Sequence, residues 1–443
     1  MSGRVKHAAL PWQPRIPFLI AVVCVLAGCH SETMPVPVVF RDPRIDPCAR
    51  IPAAERTNKV QILYATSRRA TGSPSKPTYS NDVTSDLRLG VATVQLGGDD
   101  MTWEQLCQIS TGKVTASKLP MSIPRMQEMA RLSEPAQSSA QLHDVSATTD
   151  ELAWAELINR QLDLTPNQQV NIYVHGCNTD LGAELVTAAP FFHLVGRSGA
   201  MIVFGWPSRQ QISLYNADTE RARESGPHLA HLIEFLAHNT KAKRINILAY
   251  SAGGSAMTEA LIALREARAA SDAATLNREL HVGNVVFAAS NLDLKAFATD
   301  DLTRFLDLPT DVTVYISSQD SALAMASLFG APKLGNPSKQ VLTREQLDRL
   351  AKLDKLHVVD VSSVPGTHTS NGLMGHGYWY ANEWVMSDIL TIFRWNLSPR
   401  ERGLDEQPNG KWIFPQDYPD RVSRAVVNAL TEEKRLPTTA AHE

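Results

Sequence analysis

Residues 244–256 read RINILAYSAGGSA, and this stretch decides the fold. Arg244 to Tyr250 is a short apolar run with no charge after Arg244, the composition of a strand buried on both faces. It passes directly into SAMTEALIALREA, where apolar residues recur at helical spacing. A strand that turns into a helix at Ser251, beside Ala252, Gly253 and Gly254, has the form of a nucleophile elbow. The serine there sits on a sharp turn, and its neighbours are small because strand and helix pass very close. Ala249 replaces the first Gly of G-x-S-x-G and is still small. The pentapeptide alone fits equally well a serine that caps a helix N-terminus.

On either side the same alternation repeats. QVNIYVHG (169–176) and AMIVFGW (200–206) precede the elbow; HVGNVVFAAS (281–290), DVTVYISS (311–318) and LHVVDVSS (356–363) follow it. Helical patterns lie between, one running from Asn216 to Asn239 and the last from Asn382 to Trp395. Buried strands alternating with helices predict an α/β fold with a mostly parallel central sheet and helices on both faces. VQILYATSR from Val60 and LRLGVATVQL at 87–96, joined by the polar GSPSKPTYSND, predict an N-terminal antiparallel edge hairpin. The main domain is read as 57–398. Within it, 99–147 carries few apolar residues and reads as an irregular insertion; 399–443 reads as a C-terminal extension with a helix near Asp420 to Lys434.

The chain begins with an address. Residues 1–28 hold three cations (Arg4, Lys6, Arg15), no acid, and the apolar run IPFLIAVVCVL from Ile16 to Leu26. That run is shorter than the roughly 20 residues a spanning helix needs, and the pattern is that of a signal peptide. It ends in Leu26-Ala27-Gly28-Cys29, which resembles the bacterial lipobox and implies a lipid on Cys29. Residues 29–56, rich in Pro and charge, read as a tether. His30 and Ser31 follow, with no Asp, which by resemblance to enterobacterial sorting favours the outer membrane, facing the periplasm, within the bacterial cell envelope. Cys48 and Cys107 could pair in that compartment, leaving Cys177 outside any bridge. The balance of 43 Lys and Arg against 46 Asp and Glu becomes 40 against 46 without the leader. A mildly acidic chain has no field to attract nucleic acid.

Chemistry collects at the strand ends. QVNIYV ends in His175-Gly176-Cys177-Asn178, where an α/β-hydrolase takes one oxyanion donor; the other comes from the residue after the nucleophile. Here these are the backbone N–H groups of Cys177 (or Asn178) and Ala252. VTVYISS ends in Gln319-Asp320, and NGLMGHGYW carries His376. The order Ser251, Asp320, His376 is the order this fold uses. His368, eight residues earlier in PGTHTS, is a rival base, but His376 has Gly on both sides and precedes the last helix. His175 reads as a loop-shaping residue, and Cys177 as a small side chain beside a donor rather than a nucleophile. Trp206 is assigned either to the acyl pocket or to packing under the sheet edge. Tyr215, also assigned to the pocket, lies three residues before Asp218, and this pair more simply fixes its loop.

The run VHGCNTDL…AAPFFHLVG…VFGWPSRQQISLYNADTERARES…LAYSAGG resembles the bacterial α/β-hydrolase family catalogued as domain of unknown function 900. YISSQDSAL, GHGYWY before SDIL, and the early YATSR and LRLGVATV extend the likeness over roughly residues 59–397. The resemblance implies the α/β-hydrolase fold and makes Ser251, Asp320 and His376 the triad. Two departures stand out. Cys177 replaces an aromatic or large residue, and an A-P-D-x-D segment appears as Ala289-Ser290-Asn291-Leu292-Asp293, which leaves Asp293 a structural part.

These readings converge on a serine hydrolase that cleaves a carboxylic ester through an acyl-enzyme, with no metal and no organic cofactor. The expected partners are a small-molecule or lipid acyl substrate and the membrane, reached through Cys29. Two alternatives remain: an acyltransferase using the same triad, and a non-catalytic binding lipoprotein on a hydrolase fold.

Overall fold

The computed structural model of the chain describes residues 35–116, 119–133, 147–209, 215–327, 330–337, 341–367 and 375–435. The leader, Cys29 and His368 lie outside the described residues, as does the side chain of Tyr215. Among the described residues no helix is long and apolar enough to cross a membrane.

The eight strand-like runs are strands, and three more join them in one sheet. In chain order the strands are β1 (Lys59–Ala70), β2 (Tyr79–Leu96), β3 (Met121–Leu132), β4 (Gln169–Val174), β5 (Ala200–Gly205) and β6 (Arg244–Tyr250). They continue with β7 (Val282–Ala288), β8 (Asp311–Ile316), β9 (Leu356–Asp360), β10 (Asp405–Glu406) and β11 (Lys411–Ile413). The order across the sheet is β10-β11-β9-β8-β7-β6-β4-β5-β1-β2-β3. From β11 to β1 neighbouring strands run parallel; the β1–β2–β3 edge is antiparallel, as is β10 on β11.

The two-residue period of the strands sorts their side chains into two cores. In β6, Ile245, Ile247 and Ala249 face one core with Trp154, Leu229 and Met257 from helices Thr149–Asp163, Gly226–Asn239 and Gly253–Glu266. Leu248 and Tyr250 face the other, with Phe191, Ile389 and Tyr418 from helices Leu181–Leu194, Glu383–Trp395 and Tyr418–Arg435. The helix expected from Asn216 to Asn239 is two, Tyr215–Glu224 and Gly226–Asn239, separated at Ser225. Pro227 opens the second because it has no N–H to continue the first. At this break a Cβ on Gly226 would lie 2.5 Å from Glu259 Cβ.

Three boundary expectations need correction. Within 99–147, the described residues are not an irregular insertion: they include helix Trp103–Ser110, capped by a Thr102/Gln105 capping box, and strand β3. β3 is the outermost strand, so much of it meets water and it lacks an apolar run; Pro124 is tolerated because an edge strand needs fewer N–H donors. The described part of the extension, 399–435, is part of the sheet and of the second core. β11 pairs with β9, while Tyr418, Val422 and Val426 are buried in the second core. It is tied down by a buried ion pair, Arg402 Nε to Asp388 Oδ1 at 2.8 Å, and Asp388 also accepts the hydroxyls of Tyr315 and Tyr418.

The tether is no spacer from residue 35 onward. Val38, Val39, Phe40, Ile45 and Ile51 are buried, Arg41 pairs with Glu383, and the Val39 N–H donates to Ser387 Oγ at 3.3 Å. Cys48 and Cys107 form a disulfide that bonds this arm to helix Trp103–Ser110. Arg197 completes the clamp by donating to the carbonyls of Glu55, Thr57 and Lys59. Proline and charge made the arm look solvated, yet Val38, Val39, Phe40, Ile45 and Ile51 turn inward.

Beside Arg197, His193 is wholly buried; its Nε2–H donates to Ser110 Oγ at 2.9 Å, and its Nδ1 accepts from Arg197. Burial, and then the Arg197 charge, push its pKa down from 6.5 to about 3. Between these values the unfolded chain binds a proton that the folded chain refuses, so stability is lost as pH falls below 6.5. The contribution is about 1.4 kcal/mol per pH unit. Urea unfolding between pH 6 and 4 should therefore show a shallower loss of stability in His193→Gln than in the native chain; equal slopes would contradict the assignment.

Candidate active site

The site lies where the sheet changes direction. After β4 the chain crosses to β5 on one side, then returns to β6 on the other side of β4. The helices that follow β4 and β6 cover opposite faces of the sheet, so the loops leading to them diverge and leave a crevice at the carboxyl edge.

Ser251 stands at the end of β6 with φ +52°, left-handed backbone that costs a non-glycine residue about 1–3 kcal/mol. Its surroundings hold it there. The Ser251 N–H donates to Ala288 O at 3.0 Å, and its carbonyl accepts from Gly254 at 3.1 Å. A Cβ on Gly253 would lie 2.6 Å from the carbonyl oxygens of Val174 and His175; one on Gly176 would lie 3.0 Å from Ser251 Cβ. These glycines let β4, the turn and the helix pack against one another.

Ser251, His376 and Asp320 are brought together. His376 Nδ1 lies 2.7 Å from Asp320 Oδ2, and Nε2 lies 3.0 Å from Ser251 Oγ. With the carboxylate accepting from Nδ1–H, Nε2 holds the lone pair and accepts the serine hydroxyl. All three residues are buried, and the His376 ring lies 5.1 Å from that of Tyr250. Asp320 also caps helix Ser321–Ala326 by accepting the Leu323 N–H at 2.9 Å, which leaves Oδ2 for the imidazole. Gly375, at φ +79°, carries the His376 loop past the acid: a Cβ there would lie 2.6 Å from Gln319 O.

The loop after β4 is tied to the segment that follows β5. The Asn178 N–H donates to Ser208 Oγ at 2.8 Å, and that hydroxyl donates to Asp218 Oδ2 at 2.6 Å. Of the two candidates after Gly176, this bond commits the Asn178 N–H to Ser208. Ala252 stands at the start of helix Gly253–Glu266, where backbone N–H groups have no intrahelical acceptor. Trp206 takes the packing place beneath the sheet edge. It is fully buried and stacked on His175 at 4.7 Å, with its Nε1–H donating to His175 O at 2.8 Å. The apolar indole packs best beneath the loop while its one donor is satisfied. Asp293 caps a short helix by accepting the Ala296 N–H, a structural task. The pocket role given to Tyr215, and the rival base His368, rest on parts of the chain outside those described.

Residues outside the recognised triad also shape the site. Asn336 donates from Nδ2 to Asp320 O at 2.7 Å, and the Gly335 N–H donates to Ser290 O at 2.8 Å. This short segment thereby joins the loop after β7 to the loop that bears the acid. The Tyr378 hydroxyl accepts from the Ala289 N–H and donates to Tyr315 O, locking the histidine loop to β7 and β8. Burial raises the Tyr378 pKa far above its ordinary value, so it stays a donor. GHGYW is visible as a motif, but the hydrogen-bond partners of Tyr378 are distant in sequence. Among the described residues, no group of three or more His, Cys, Asp or Glu could hold a metal ion.

The model of a family described as alpha/beta hydrolase of unknown function matches residues 150–393, more than half of the chain. Among curated proteins none matches. Solved structures similar to the chain include esterase 2 of Thermogutta terrifontis phosphoramylated by tabun, at 11% identity over 52% of this chain and 81% of that one, TM-score 0.29. Another is an inhibited esterase B from Lactobacillus rhamnosis, at 10% identity over 51% and 77%, TM-score 0.28.

The tight packing of the elbow yields a stability prediction. Gly253→Ala forces a methyl group against two backbone carbonyls that cannot swing away, and should cost about 1–3 kcal/mol in urea unfolding. An unchanged midpoint would mean that the strand–helix approach is looser than this geometry.

Proposed function

The chain belongs to this family of α/β-hydrolases, and from that premise we propose that it is a serine hydrolase cleaving carboxylic esters through an acyl-enzyme on Ser251. The observation that carries the reading is the continuous hydrogen-bond chain from Ser251 Oγ through His376 to Asp320. Ser251 Oγ attacks the ester carbonyl as His376 Nε2 takes its proton. The tetrahedral oxyanion is received by the N–H groups of Cys177 and Ala252, each such donor worth roughly 3–4 kcal/mol of barrier. His376 then protonates the departing alkoxide, and Asp320 stabilises the imidazolium between the two transfers. Water, deprotonated by the same imidazole, releases the acyl group and restores Ser251.

Cys29 carries the lipid in this reading and holds the enzyme in the bacterial envelope, on the outer membrane facing the periplasm. A lipid-anchored hydrolase meets acyl lipids and imported esters, which favours an ester over an amide. Two experiments test the reading. A fluorophosphonate should label Ser251, as mapped by peptide mass spectrometry, and Ser251→Ala should lose p-nitrophenyl butyrate turnover while keeping its melting temperature; retained turnover would defeat the assignment. Cys29→Ser should remove palmitate incorporation and shift the protein out of the membrane fraction, whereas unchanged labelling with palmitate would exclude Cys29 as the lipid site.

A further inference from the structure

Behind the oxyanion loop lies a charged cluster that takes no part in the proton transfers. Arg68, Glu184 and His175 are each essentially inaccessible to solvent. Arg68 Nη2 donates to Glu184 Oε1 at 3.0 Å and to Thr179 O at 2.9 Å, and its Nη1 donates to Asn81 Oδ1 at 2.9 Å. His175 Nε2 lies 2.9 Å from the same Glu184 oxygen and 3.0 Å from Trp206 O, while Nδ1 lies 2.7 Å from Gly176 O. Each of these neighbours of the ring nitrogens is an acceptor, so both nitrogens must donate. A ring with a single N–H would set a lone pair against an oxygen. The Trp206 indole stacks on the ring at an interplanar angle of 5° and fixes its plane. Room for the carboxylate is built in as well: a Cβ on Gly205 would lie 2.9 Å from Glu184 Oε2.

The bond from His175 Nδ1–H to Gly176 O has a consequence across one peptide unit. A trans peptide is planar, with its C=O and N–H pointing in opposite directions. Pinning Gly176 O towards the buried ring therefore turns the Cys177 N–H away from that ring. We infer that Glu184, supported by Arg68, is a positioning residue for catalysis: it holds His175 as a double donor, and His175 in turn aims the oxyanion N–H. This inference rests on the serine-hydrolase reading above.

The test uses the full chain in detergent, p-nitrophenyl butyrate as substrate, and butylboronic acid, whose adduct with serine mimics the tetrahedral oxyanion. In Glu184→Gln, kcat should fall about tenfold to a hundredfold, less than or equal to the cost of removing a donor outright. KM should stay within about twofold, and the boronate inhibition constant should rise by the same factor as kcat falls, since only the oxyanion contact is weakened. Should that variant fold poorly, His175→Asn and His175→Phe provide the comparison, because Asn can still donate to Gly176 O and Phe cannot. Asn should recover most of the boronate affinity that Phe loses. Unchanged kcat in Glu184→Gln, a kcat loss without a change in boronate affinity, or equal losses in the two folded His175 variants would each overturn the inference. A native chain that shows neither fluorophosphonate labelling nor turnover would instead overturn the hydrolase reading on which it depends.

Discussion

The left-handed turn at Ser251 is the constraint around which the carboxyl edge of the sheet is organised. A residue with a side chain is held at φ +52° by hydrogen bonds on both sides of it and by glycines that admit the neighbouring backbone. The strain fixes the hydroxyl at the tip of β6 rather than along a helix face. An ordinary N-cap serine would place its oxygen over the helix N-terminus and away from His376. Because the turn admits little freedom, the imidazole and the oxyanion loop must be brought to the serine.

The sheet does this through its change of direction. The loops after β4 and β6 leave for opposite faces, and the crevice between them opens at the serine. Asp320 and His376 arrive from further along the sheet and are held by bonds that span the loops. Asn336 grips the acid's carbonyl, and Tyr378 bridges Ala289 and Tyr315. Buried polar groups of this kind are costly unless satisfied, and once satisfied they leave one arrangement favoured over its neighbours. The same logic reaches behind the loop, where Arg68 and Glu184 meet His175.

Legibility in the sequence followed burial. β4 to β8 are covered on both faces, so their Val/Ile runs were plain to read. β3 and β11 lie at or near the edges of the sheet, where partial exposure lets polar residues in and blurs the period. The N-terminal arm misled for a related reason. It contains only a handful of apolar residues, and their docking against helices near the C-terminus is a contact across more than 300 positions, as in Val39 with Ser387. Trp206 belongs to the same class: local sequence gave it two equally good places, and stacking on His175 chose between them.

Local chemistry was enough to determine the strand–turn–helix elbow, the Ser251, Asp320, His376 order and the two-faced sheet, since each depends on residues adjacent in the chain or on a short period. Tertiary structure alone decided that the Asn178 N–H is bound by Ser208, how the arm and the C-terminal extension close over the second core, and that Arg68, Glu184 and His175 share one buried site. Those outcomes depend on bonds between segments far apart in sequence. No pattern within a segment records where such bonds end, because the partner's position is set by the packing of the whole sheet.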